Sequence, residues 1–97
     1  MDDLSFLTPL EQAMARLAAR LRADAETEAV GADVTRSTLS SQSFHSRARV
    51  YRTCAEAVED CLLEHVAPDH AEDVKILILN LAAEIMAERR ASWQRYR

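Results

Sequence analysis

The chain has 97 residues, of which 48% are hydrophobic and 29% charged, and its formal net charge is −4. This length fits one domain, residues 1–97, with a modest core, and the composition separates it from disordered chains. One glycine and two prolines supply little turn material, which excludes a β-sandwich or barrel, whereas the abundant Ala, Leu, Glu and Arg favour an all-α fold.

The first helix begins at "TPLE". Thr8 suits an N-cap, Pro9 the first helical position, and Glu11 the return contact of a capping box. Leu10, Met14, Leu17 and Leu21 follow at helical spacing and predict the buried face. Gly31, the only glycine, stands where a left-handed C-cap would end a helix over about 9–30. The segment "TRSTLSSQSFHS" is rich in Ser and Thr, which hydrogen-bond their own backbone, and predicts a connector near 31–43.

The second helix, about 43–66, carries the clearest pattern in the chain. Phe44, Ala48, Tyr51, Ala55, Val58, Leu62 and Val66 form a nearly straight apolar stripe. Val50, Cys54, Ala57 and Cys61 widen it on one flank. Arg49, Arg52, Glu56, Glu59 and Asp60 belong on the water side. Pro68 ends this helix, because the residue before proline avoids helical geometry. Asp69 then suits the cap of a third helix over about 69–95, with arginines at its far end.

That third helix contains "VKILILNLAAEIM", apolar on two sides. Val74, Leu77, Ile78, Leu81 and Ile85 form one face. Ile76, Leu79, Ala83 and Met86 form another, which Trp93 extends. Asn80 falls between them and need not be buried. Two seams require two neighbours. The second helix covers one; the other takes either the first helix, in a closed three-helix bundle, or another chain. A long polar connector and a narrow first-helix face favour another chain, so a helical homodimer is expected.

Chemistry finds little footing. Cys54 and Cys61 lie seven residues apart, roughly 10 Å along a helix, too far to bond to each other. With His65 they fall short of the usual four zinc ligands, so no metal and no cofactor is expected. No phosphate-cradling loop or nucleophile elbow is present, and no catalytic residue is assigned. An acidic "MDDLSFL" start, two cysteines and the lack of a long apolar run predict a cytoplasmic protein with no membrane contact.

The expected function is that of a non-catalytic protein-interaction module, a small regulator of antiactivator or inhibitor type that covers a functional surface of a larger protein. The Ala- and Arg-rich composition points to a GC-rich bacterial or phage genome. Ile76, Leu79, Ala83, Met86 and Trp93 are the expected partner or dimer contacts; Trp93 and Tyr96 equally suit packing on the first helix. The alternative is a dimeric nucleic-acid-binding regulator. Its contacts would be Arg47, Arg49 and Arg52, in a segment (31–53) of four Arg and one Asp, with the C-terminal arginines, Arg89 and Arg90 among them.

Overall fold

The computed structural model describes residues 5–35 and 37–95; Arg36, Tyr96 and Arg97 lie outside them. The architecture is all-helical: α1 spans Pro9–Val34, α2 Thr38–His65 and α3 Ala71–Arg95, with a short 3-10 turn at Pro68–His70 before α3. Among the described residues there is no strand.

The capping box at α1 forms as its residues predict. The Glu11 amide donates to Thr8 Oγ1 at 3.2 Å, and the Thr8 amide donates to Glu11 Oε1 at 2.9 Å. The other end differs. Gly31 is not a cap but an interior residue of α1, which runs on to Val34. A Cβ at Gly31 would stand 2.8 Å from the Phe44 ring, so the glycine leaves room for an α2 side chain in its present position. The predicted connector contracts accordingly. Ser37 caps α2 by accepting from the Ser40 amide, and the Ser and Thr residues that follow it enter the helix. Ser41 Oγ donates to the Ala32 carbonyl at 3.4 Å and ties the two helices beside their turn. At α3, Asp69 does not act as the cap; it sits inside the 3-10 turn, where no side chain caps the backbone.

Helix α1, rather than α3, is the central element: it packs along α2 and also against α3, while α2 and α3 approach each other little. Its inward residues are alanines. Ala15, Ala18, Ala19 and Ala23 have no exposed surface, whereas Leu10 is 72% and Leu17 48% exposed. The leucine periodicity is therefore only half right: Met14 and Leu21 are half-buried, Met14 against the core, while Leu10 and Leu17 face outward. Alanine lets helix axes approach closely, and larger side chains from the neighbours fill the space above it. Leu62 of α2 with Val74 and Ile78 of α3 are the largest fully buried side chains, and they cluster with Ala15, Ala18 and Ala19. All seven stripe residues of α2 are buried or half-buried, but Val50, Cys54, Ala57 and Cys61 on its flank face outward. Phe6 stacks at a tilt on His70, ring centroids 5.2 Å apart, which fixes the N-terminal segment to the 3-10 turn.

Candidate interaction surface on α3

Because α2 and α3 each pack on α1 but approach each other little, α3 keeps an open side. Its inner residues Val74, Leu77 and Ile78 are buried, and Leu81 and Ile85 half-buried, as their face requires. On the second seam, Ile76 is 53% exposed, Leu79 57% and Ala83 also exposed. Asn80 between the seams is exposed as well.

One residue of the predicted seam parts company with it. Met86 is only 3% exposed and belongs to the chain's own interior: Thr27 Oγ1 of α1 donates to its sulfur at 3.5 Å. The reason is helical phase. Met86 lies on the edge of the seam nearer α1, whose central position draws that edge inward. Trp93, farther along, is 47% exposed.

Leu79 also lines two adjoining clefts. One, of about 300 Å³, is bordered by Ala25 and Ala29 of α1, Arg52 of α2 and Ala83 of α3. The other, of about 400 Å³, is bordered by Asp60 and Leu63 of α2 and Lys75 of α3. Arg22 of α1 is common to both. Its Nη2 donates to Glu59 Oε2 at 2.6 Å, and its Nε donates to the second carboxylate oxygen. The hydrogen bond to Glu59 raises the Arg22 pKa above its ordinary value; desolvation opposes the rise, and the charges of Glu59 and Glu56 add to it. The guanidinium remains charged and bidentate, a fixed polar strut between α1 and α2.

Glu59 thus leaves the water side to which its helical position assigns it. Neither member of the pair was among the expected site residues, although a signal existed. Ala15, Ala18, Arg22, Ala25 and Ala29 share one helical line, and a single arginine in an alanine line calls for a carboxylate across the interface.

The arginines divide into two groups. Arg47 donates to Glu28 at 3.0 Å and lies over the Phe44 ring at 4.8 Å. Arg89 donates to Asp24 at 2.7 Å and to Thr27 at 2.9 Å. Both serve the bundle. Arg49, Arg52 and Arg90 are exposed and, among the described residues, form no ion pair; Arg52 does not bond to Glu56 one turn away. Cys54 and Cys61 are free and exposed. Among the described residues, no group of three His, Cys, Asp or Glu is arranged to hold a metal ion, and no helix is long and apolar enough to cross a membrane. Comparison with known proteins returns no matching family model, no similar curated protein and no similar solved structure.

Proposed function

We propose that the protein is a non-catalytic interaction module, a small regulator of antiactivator or inhibitor type. It docks on a larger protein through the outward face of α3 and thereby covers a surface that protein needs. One observation carries the reading: Ile76 and Leu79 stand more than half exposed, Leu79 at two open clefts, on a helix whose inner face is already filled. Exposed apolar side chains flanked by arginine have the anatomy of a binding surface, with an apolar centre and a polar rim.

The runner-up, a nucleic-acid-binding regulator, draws on Arg49, Arg52 and Arg90, but Arg47 and Arg89 already hold carboxylates within the chain. Capture from bacterial lysate on the tagged protein separates the two. The occlusion reading expects a stoichiometric protein that survives nuclease and salt and is lost on Leu79→Asp, with helicity unchanged by circular dichroism. Recovery of only nuclease-sensitive material, released steeply by salt, would instead establish the runner-up.

A further inference from the structure

The outward face of α3 is self-complementary. Glu72, Ile76, Leu79, Ala83 and Arg90 recur at spacings of four, three, four and seven, so they follow one heptad line, and every one is exposed. Two pairs of them are placed symmetrically about the level of Leu81: Leu79 and Ala83 lie two residues to either side, Glu72 and Arg90 nine to either side, whereas the counterpart of Ile76 is Met86, which is buried in its own chain. We propose that this face is occupied by the same face of a second copy of the chain, running antiparallel about a two-fold axis at that level. The inference rests on the reading of this face as a docking surface and names what covers it while the larger protein is absent.

Charge and size select this arrangement. In the antiparallel pair each Glu72 meets the partner's Arg90, and each Leu79 packs on the partner's Ala83, a large side chain against a small one. A parallel pair would set Glu72 against Glu72 and Arg90 against Arg90, which is repulsive at both ends. Sliding the two copies breaks the charge match and the size match together. The intrachain contacts do not compete strongly: Glu72 is widely exposed and, among the described residues, pairs with Lys75 at 3.4 Å within its own helix. Arg90 is free of ion pairs among the described residues, while its neighbour Arg89 is held by Asp24. With few apolar residues at its centre, the interface is small and the association depends on concentration.

Sedimentation velocity from about 1 to about 500 μM, the range over which a small interface fills, tests the assignment. The wild-type chain should pass from monomer to dimer. Glu72→Arg alone or Arg90→Glu alone should weaken pairing about tenfold, since each turns two attractive contacts repulsive. The double variant should recover pairing, which a merely structural effect of either change would not produce. Orientation is read with a spin label at Gln94→Cys in a chain carrying Cys54→Ser and Cys61→Ser. The antiparallel pair separates the labels by about 39 Å along the axis at 1.5 Å per residue, and a parallel pair by only about 10 Å.

A chain that stays monomeric throughout, a double variant without recovery, or a short label distance would each overturn the proposal. Absence of pairing with capture still dependent on Leu79 removes the second copy and leaves the docking surface. Pairing that persists without any captured protein supports the second copy and removes the larger partner.

Discussion

The inner face of α1 and the outer face of α3 are both apolar, yet they are used in opposite ways. On α1 the small side chains are buried and the large ones, Leu10 and Leu17, are left outside. On α3 the large side chains fill the inner face and then continue onto the outer one as Ile76 and Leu79. The difference shows that burial in this bundle follows distance between helices more than hydrophobicity of residues. Alanines bring α1 close to its neighbours, so a few large residues complete the core, and further large residues on α3 exceed what the core can take. Surplus of that kind on a helix is available for another chain.

The comparison breaks most visibly if inner and outer isoleucines are truncated in turn. Ile78→Ala should cost about 3–4 kcal/mol, because Ile78 is essentially fully buried among alanines that cannot expand into the space. Ile76→Ala, two residues earlier, should change stability by no more than about 0.5 kcal/mol at a concentration below self-association. Urea denaturation of both variants, followed by helical signal, gives the contrast directly. Equal losses would mean that the outer face of α3 is packed within the single chain, and the account of a surplus face would be wrong.

A smaller effect sharpens the view of the clefts. The Arg22–Glu59 pair is part-buried and bidentate, and it spans α1 and α2 beside Leu79. A double-mutant cycle with Arg22→Ala and Glu59→Ala should return a coupling of about 1 kcal/mol, near the upper end for pairs that retain solvent contact. Added salt should reduce it. A coupling near zero would show that the pair does not brace this part of the bundle.

How far the molecule can be read without coordinates follows the same division. Local chemistry is legible: Thr8 and Glu11 close their box, the stripe of α2 packs inward, and Pro68 ends that helix. Global packing is not. Leucine outranks alanine on any hydrophobic scale, so periodicity alone selects Leu10, Met14, Leu17 and Leu21, of which Met14 and Leu21 are half-buried, whereas close approach makes the alanine face the fully buried one. Met86 likewise belongs to the second seam by phase, and only the central position of α1 draws it inward. Glu59 appears solvated until Arg22 is seen across from it. Of the expected α3 surface, Ile76, Leu79, Ala83 and Trp93 are exposed on the chain, and of the expected basic contacts Arg47, Arg49, Arg52 and Arg90 are, although Arg47 is paired with Glu28.

Gly31 provides the finest test of packing against local preference. By helix propensity alone, Gly31→Ala within α1 should stabilise by roughly 0.8–1 kcal/mol. The new Cβ, however, would fall 2.8 Å from Phe44, whose ring also lies under Arg47. The ring must swing away, so the gain in the wild-type background should be smaller than the propensity value. Phe44→Ala removes the whole ring, and in this background Gly31→Ala should regain most of the full amount. Thermal or urea unfolding of the four proteins in the cycle measures the difference, expected at about 0.5 kcal/mol or more. Equal gains in both backgrounds would show that the glycine is not there to receive the ring. The continuation of α1 past Gly31 would then need another cause.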